Sequence, residues 1–170
     1  MEICLIQDTR EQRGLGPYFS SPWIIETLHV GDYSVAGLQD LIAIERKSLS
    51  DLLGSLTHGR ERFEKELAKT RSMDKFYIVV EGCLSTIFDG RYNPMFSDSP
   101  EIAKQFHSMA NPKAIWETIA AFTIRYCPMI FTENQIVTAA FVESVLTKYA
   151  REFIKTGQEI EKAAKKARKV

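Results

Sequence analysis

The spacing of the apolar residues changes at Ser48. From Leu49 onward, leucines recur at helical intervals, whereas the segments before it have the short apolar runs of β-strands. Predicted strands cover residues 3–7, 23–30, 41–45, 76–80 and 128–132. Because strands come first and helices then alternate with strands, we predict an α/β domain with a mixed sheet flanked by helices.

A single core is expected for a chain of 170 residues, of which 45% are hydrophobic. We predict that one domain spans residues 1–155 and that a basic helical tail follows at 156–170. The cations of the tail are Lys162, Lys165, Lys166, Arg168 and Lys169. A solvated helix end is the favoured interpretation of the tail, and a DNA tether is the alternative.

The composition excludes a strong overall positive field, because 22 basic and 22 acidic residues cancel. Any contact with DNA must therefore come from a local patch. Three widely spaced cysteines argue against a disulfide framework or a zinc site. No stretch approaches the ~20 apolar residues of a membrane span. We expect a cytoplasmic protein without a secretion signal, in a prokaryotic or phage setting.

Charged residues lie at the ends of the first predicted strands. Side chains alternate along a strand, so Glu45 and Lys47 share one face and Arg46 points to the other. A turn at Gly31 can bring Asp32 opposite Glu45, where the two carboxylates would repel each other without a cation between them. Phosphodiester hydrolysis requires carboxylates for a hard divalent cation, an activated water and a nearby positive charge. These residues can supply each requirement.

The charged runs resemble the motifs of a known nuclease family. Three of them are similar to the signature of the XPF/Hef structure-specific endonucleases: Asp8-Thr9-Arg10-Glu11, Gly31-Asp32-Tyr33 and Glu45-Arg46-Lys47-Ser48-Leu49-Ser50-Asp51. The likeness continues more weakly to about residue 155. It implies a restriction-endonuclease-like fold of the PD-(D/E)XK superfamily and a metal-dependent endodeoxyribonuclease.

The resemblance also implies roles for individual residues. Asp32 and Glu45 would bind Mg²⁺ or Mn²⁺, with the backbone carbonyl of Arg46 as a third ligand. Lys47 would lie beside the attacking water or the scissile phosphate. Asp8 would lie at the edge of the site, where a second metal ion is an open alternative.

Further residues have supporting roles in the same interpretation. Arg10 and Glu11 would orient the cluster, and Asp51 belongs to the third motif. We assign DNA contacts to Arg60 and Arg62, in a local basic set.

Hydrolysis of a DNA phosphodiester is the expected reaction, at branched or flap-like DNA, leaving a 5′-phosphate and a 3′-hydroxyl. The alternative is a non-catalytic DNA-binding or dimerisation partner of another nuclease, because the family contains such subunits. A homodimer, or pairing with a related subunit, is expected because the apolar stripe along residues 136–153 is too wide for one contact face.

Two of these residues, Arg46 and Asp51, also have structural interpretations, and Glu81 is a further candidate. The spacing of Ser48 and Asp51 ahead of a leucine stripe is typical of a helix-capping box, so Asp51 caps a helix or supports catalysis. For Arg46 we favour a buried ion pair with Glu11 or Asp51. Glu81 ends a predicted strand and is a secondary candidate for the surroundings of the metal.

Overall fold

A computed structural model describes residues 3–167, and these form a single six-stranded sheet. The strands are β1 (Leu5–Asp8), β2 (Trp23–Glu26), β3 (Tyr33–Val35), β4 (Ile42–Ser48), β5 (Lys75–Glu81) and β6 (Met129–Thr132). Their order across the sheet is β2-β1-β3-β4-β5-β6. The pairs β1–β2, β4–β5 and β5–β6 are parallel, and the pairs β1–β3 and β3–β4 are antiparallel. The sheet is therefore mixed, as predicted.

Helices cover both faces of this sheet. They are α1 (Leu49–Leu56), α2 (Arg60–Ala68), α3 (Leu84–Phe88), α4 (Pro100–Ala103), α5 (Pro112–Arg125) and α6 (Gln135–Ala167). One core lies between the sheet and helices α1, α2 and α5, and it contains Leu52 and Phe122. A second core lies between the sheet and α6, and it contains Val142 and Leu146.

Strand β4 serves both cores because its side chains alternate. Ala43 belongs to the core under α1, α2 and α5, whereas Ile42 and Ile44 belong to the core under α6. The alternation continues into the charged residues that follow. As a result, Glu45 and Lys47 emerge on the face of α1 and α2, and Arg46 emerges on the face of α6.

Several strand bounds differ from the predicted ones. Strand β2 ends at Glu26 and not at residue 30, because the amide of Leu28 donates to Asp8 Oδ2 at 2.7 Å. Strand β4 was predicted to end at residue 45, but it runs to Ser48 and pairs with β5 throughout. Strand β3 was not predicted, since its three residues are too few to give a periodic pattern.

The region 88–112 is rich in Gly, Pro, Asn, Ser and Asp, and this composition predicts either a long loop with a short helix or a partly mobile segment. It contains α4 and a short 3₁₀ helix (Lys104–Phe106), and the first alternative is confirmed. Two buried residues anchor it: the Tyr92 hydroxyl donates to the carbonyl of Ala110 at 2.9 Å, and Asn93 Nδ2 donates to the same oxygen at 3.1 Å. The loop is therefore tied to the residues just before α5.

Helix α6 contains 33 residues and is ~50 Å long at 1.5 Å per residue. Its bounds cross the predicted division at residues 155 and 156, and that division stays a prediction. Of the tail cations, Arg168 and Lys169 lie outside the described residues. Within residues 3–167, no helix combines the length and the apolar character needed to cross a bilayer. Cys4, Cys83 and Cys127 are free thiols.

Candidate active site

Asp32 lies directly before β3, beside the end of β4. Its amide donates to the carbonyl of Ile44 at 2.8 Å, and its Oδ2 accepts from the amide of Arg46 at 2.7 Å. Gly31 makes this approach possible: its φ is +77°, and a Cβ there would lie 3.1 Å from the Ile44 carbonyl oxygen. The predicted juxtaposition of Asp32 with the residues around Glu45 is therefore present.

Glu45 and Lys47 share one face of β4, as their spacing predicted. Lys47 Nζ lies 3.5 Å from Glu45 Oε1, and the Lys47 side chain is 14% exposed. The ammonium also lies 5.2 Å from the centroid of the Phe63 ring, where a cation–π interaction stabilises its positive charge. Phe63 thus helps to hold Lys47 at the site, a role that the sequence pattern did not indicate.

The two carboxyls disfavour each other's charge. Burial raises the pKa of Asp32, and the neighbouring Glu45 raises it further, to about 7. Burial also raises the pKa of Glu45, although the positive charge of Lys47 acts in the opposite direction. The site therefore concentrates more negative charge than Lys47 neutralises, which is the electrostatic condition for binding a cation.

The free oxygens of this pair suit a hard divalent cation. In the part of the chain that the structure describes, neither Asp32 Oδ1 nor Glu45 Oε2 accepts a hydrogen bond. Every fully buried side-chain nitrogen or oxygen in that part has a partner, so these two atoms reach solvent. Carboxylate oxygens are the ligands that Mg²⁺ prefers in proteins. The pair fits such an ion.

The carbonyl of Arg46 offers a third oxygen in the same place. The N–H and C=O groups of one strand residue point to the same side, and the Arg46 amide donates to Asp32. Its carbonyl consequently faces the Asp32 side, beyond the end of β3. Residues 3–167 form no cluster of three or more His, Cys, Asp and Glu side chains that could hold a metal. A site here therefore depends on this carbonyl and on water for further ligands, and the ligand set stays a prediction.

Asp8 makes hydrogen bonds with both of its oxygens. Oδ1 accepts from the amide and Nε of Arg10 at 2.9 and 2.6 Å, and Oδ2 accepts from the Leu28 amide at 2.7 Å. The side chain is completely buried. Burial acts to raise the pKa of Asp8, but the hydrogen bonds from Arg10 and Leu28 lower it overall. Asp8 thus joins the end of β1 to the segment after β2, and its role as a ligand for a second metal stays a prediction.

Arg10 connects this junction to the pair Asp32 and Glu45. Its guanidinium also donates to the Leu28 carbonyl at 2.9 Å. The pKa of Arg10 is raised, first by Asp8 and also by the charges of Asp32 and Glu45. Its positive charge is therefore close enough to act on the candidate site.

Arg46 makes a partly buried ion pair on the opposite face. Its Nε and Nη2 donate to the two oxygens of Glu81 at 2.9 and 3.0 Å, and its Nη1 lies 3.5 Å from Glu11 Oε2. The predicted pairing with Glu11 is confirmed. The alternative pairing with Asp51 is wrong, because Asp51 hydrogen-bonds Ser48 at the start of α1.

Glu81 is the partner that the sequence interpretation missed for Arg46. It ends β5, which lies beside β4 in parallel register. Glu11 also accepts a hydrogen bond from the Tyr33 hydroxyl at 3.2 Å. The arginine thereby links β4, β5 and the segment after β1.

Asp51 occupies the third helical position of α1. Ser48 is the N-cap residue, and its Oγ accepts from the Asp51 amide at 3.0 Å and donates to Asp51 Oδ2 at 2.7 Å. Ser48 therefore caps α1, but only half of the predicted capping box is present among the described residues, because the Asp51 carboxylate accepts from the Ser48 hydroxyl and not from a backbone amide. The contribution of Asp51 to catalysis stays a prediction.

The two arginines assigned to DNA have different surroundings. Arg60 Nε lies 3.0 Å from Glu64, and its guanidinium lies 5.5 Å from the centroid of the Phe122 ring. Arg62 is 83% exposed and lines a cavity together with Lys47. Arg62 is thus the better placed of the two to meet a substrate at the candidate site.

Comparison with known families identifies the chain. Residues 7–145 match the family model of the ERCC4 domain. The chain belongs to the ERCC4 domain family. The matched residues of this ERCC4 domain include the whole candidate site, from Asp8 to Arg62. None of the curated proteins matches the chain.

Two solved structures are similar to this ERCC4 domain. The first is XPF from Aeropyrum pernix, with 23% sequence identity and a TM-score of 0.61, covering 86% of this chain and 61% of that chain. The second is XPF from Aeropyrum pernix in complex with DNA, with 24% identity and a TM-score of 0.61, covering 88% of this chain and 66% of that chain. The chain thus spans less than two thirds of either relative. The predicted resemblance to the XPF family and the restriction-endonuclease-like fold are confirmed.

Proposed function

We propose that the protein is a metal-dependent DNA endonuclease that hydrolyses phosphodiester bonds with Mg²⁺ or Mn²⁺. The observation that carries this proposal is the pair of partly buried carboxylates, Asp32 and Glu45, which have free oxygens beside the ammonium of Lys47. Membership of the ERCC4 domain family supports a DNA nuclease.

The residues of the site divide the chemistry among them. A divalent cation bound by Asp32, Glu45 and the Arg46 carbonyl would polarise the scissile phosphate and acidify the attacking water. Lys47 presents a positive charge beside Glu45, where it would stabilise the negative charge that develops on the phosphate. Phe63 and Glu45 together limit the movement of that ammonium.

The preferred substrate in this proposal is branched or flap-like DNA. The DNA complex of the Aeropyrum pernix relative supports DNA as the polymer.

We also propose that the protein pairs with a second copy or a related subunit. Exposed apolar residues on α6 support this pairing; Ile136 is 67% exposed and Phe153 is 48% exposed.

The Asp32→Asn and Glu45→Gln variants test the proposed site. Each removes a ligand charge while keeping the size of the side chain, so we expect cleavage to fall at least about 100-fold, since a metal ion contributes several kcal/mol to the barrier. The assay measures cleavage of single strands, flaps, forks and four-way junctions with Mg²⁺ or Mn²⁺.

Glu61→Gln and Asp40→Asn are matched controls, because both residues are exposed and lie outside the site. They should cleave like the unmodified protein. If either site variant retained full cleavage, the assigned ligands would be incorrect. If the unmodified protein bound DNA but cut none of the substrates, a non-catalytic partner would be the better description.

A further inference from the structure

A cavity of about 640 Å³ opens beside Lys47 on the side of helix α1. It is bounded by α1, by the turn between α1 and α2, and by the segment just after the 3₁₀ helix Lys104–Phe106. Lys47 belongs both to this cavity and to the candidate active site. A strand of substrate that lies over Lys47 can therefore continue into the cavity.

Positive and hydrogen-bonding groups predominate in its lining. Lys47 and Arg62 are basic side chains, and His58 and His107 add two imidazoles. The carboxylate of Asp51 also faces the cavity, but it already accepts a hydrogen bond from the Ser48 hydroxyl. The lining thus has more donors than acceptors, which favours an anion.

His58 is held against the wall of the cavity. Its Nδ1 lies 3.3 Å from Thr57 Oγ1, and a Cβ built on Gly54 would lie 3.5 Å from the imidazole Cε1. The ring therefore lies within ordinary contact distance of Gly54 on α1. Among the described residues, His58 Nε2 has no hydrogen-bond partner, so it is available to a ligand.

His107 stands at the opposite wall in a strained conformation. It has φ +50° and ψ +32°, and within residues 3–167 it is the one non-glycine residue with positive φ. The 3₁₀ helix before it packs against α1, which brings His107 into the cavity. A left-handed conformation in a residue other than glycine is uncommon and concentrates at binding sites.

Arg62 is free to turn toward a ligand. Its Nε lies 3.5 Å from Glu66 Oε1, and both side chains are more than half exposed. Such an exposed pair contributes little to stability, so a phosphate can replace the glutamate as its partner.

We propose that this cavity binds a second phosphate of the DNA strand, adjacent to the phosphate that is cut, through His58, Arg62 and His107. The inference rests on the proposed nuclease function for the identity of the polymer. It also assigns a role to the end of the 88–112 region, which places His107 across from α1.

Nuclear magnetic resonance of the imidazoles tests the site without any cleavage. The chain contains three histidines, and the third, His29, is exposed and does not line the cavity. Titration with inorganic phosphate, and separately with a short DNA duplex in EDTA, should shift the signals of His58 and His107 in a saturable manner. The His29 signal serves as the internal control.

The outcomes separate the two proposals. If the His58 and His107 signals move with phosphate but no substrate is cut, the subsite is supported and the nuclease proposal fails. If DNA is cut while the two signals do not move, or move no more than that of His29, the subsite is overturned.

Substitution at His107 gives a second test. Asparagine tolerates the left-handed conformation, so His107→Asn removes the imidazole without adding strain. For His107→Asn we expect about a tenfold weaker affinity for duplex DNA, measured by fluorescence anisotropy. For Arg62→Gln we expect the slope of log Kd against log salt to be smaller by about 0.9, because one phosphate contact is lost. For a substrate that is cut, kcat/KM should fall together with the affinity for DNA, because both residues are proposed to contact the strand beside the phosphate that is cut.

His29→Asn and Arg71→Gln are the matched controls, since neither residue lines the cavity. The thermal midpoint of His107→Asn should equal or exceed that of the unmodified protein, which would exclude unfolding as the cause of weaker binding. Unchanged affinity in both His107→Asn and Arg62→Gln would overturn the proposal.

Discussion

Asp32 and Glu45 carry two acidic groups into a space where burial raises the pKa of both. Until a cation binds, their ionisation opposes folding. The folded protein holds the Asp32 proton more tightly than the unfolded chain does, because the pKa rises from 3.8 to about 7. The stability that this proton contributes is complete below pH 3.8 and is lost as the pH rises to about 7.

Replacing Asp32 by asparagine should therefore stabilise the metal-free protein at pH 8. The amide keeps an oxygen for the Arg46 amide and carries no charge. Urea unfolding in EDTA measures the effect, which should disappear near pH 4. Adding Mg²⁺ should stabilise the unmodified protein more than the variant. An Asp32→Asn protein that is less stable at pH 8 would contradict the electrostatic explanation.

Arg46 has a different role from its neighbours in sequence, since its guanidinium is 11% exposed and lies between Glu81 and Glu11. We expect Arg46→Met to lower the free energy of unfolding by about 3 kcal/mol, because it leaves Glu81 without its positive partner in a partly buried place. The double variant with Glu81→Gln should recover more than half of that loss. Urea unfolding of the unmodified protein, the two single variants and the double variant measures these free energies. An equal loss in Arg46→Met and in the double variant would argue against the ion-pair explanation.

The elements differ in how far the sequence predicted them. The alternation of Glu45, Arg46 and Lys47 was predictable, because a strand has a period of two and its faces follow from local spacing. Strand β3 was not predictable, since it is a three-residue strand whose place depends on hydrogen bonds to β1 and β4. The pairing of Arg46 with Glu81 depends on the parallel alignment of β4 with β5, which no local pattern records.

Helix α1 begins where strand β4 ends, so its cap affects both elements. Ser48→Ala should lower the free energy of unfolding by about 1 kcal/mol, because the Asp51 amide loses its acceptor. Ser50→Ala in the same helix is the control and should change stability by less than about 0.5 kcal/mol. A Ser48→Ala protein as stable as this control would show that the cap contributes little.

At the scale of the whole molecule, the order of strands and helices was enough to predict the mixed sheet. The cavity beside Lys47 was not predictable, because it brings α1 next to His107, a residue of the 88–112 region that is far from α1 in the sequence. The apolar stripe of helix α6 was predicted to be too wide for one contact face. Val142 and Leu146 are buried in the core, whereas Ile136 and Val137 are exposed.

We expect the purified protein to form dimers. Exposed apolar residues along α6 lose contact with water when a second copy covers them. Multi-angle light scattering at micromolar concentration measures the mass, and Ile136→Lys should shift the distribution toward monomer. A monomeric mass for the unmodified protein at that concentration would contradict the expectation.

The loop after β1 is fastened by residues that are far away in the sequence. The amides of Ser20 and Ser21 donate to the carboxylate of Glu143 on α6, and the Arg13 carbonyl accepts from Gln135 Nε2. Contacts across such separations close large chain loops and slow the folding reaction. We therefore expect the segment that carries Arg10 and Glu11 to reach its final position only after α6 has docked, which would complete the candidate site late in folding.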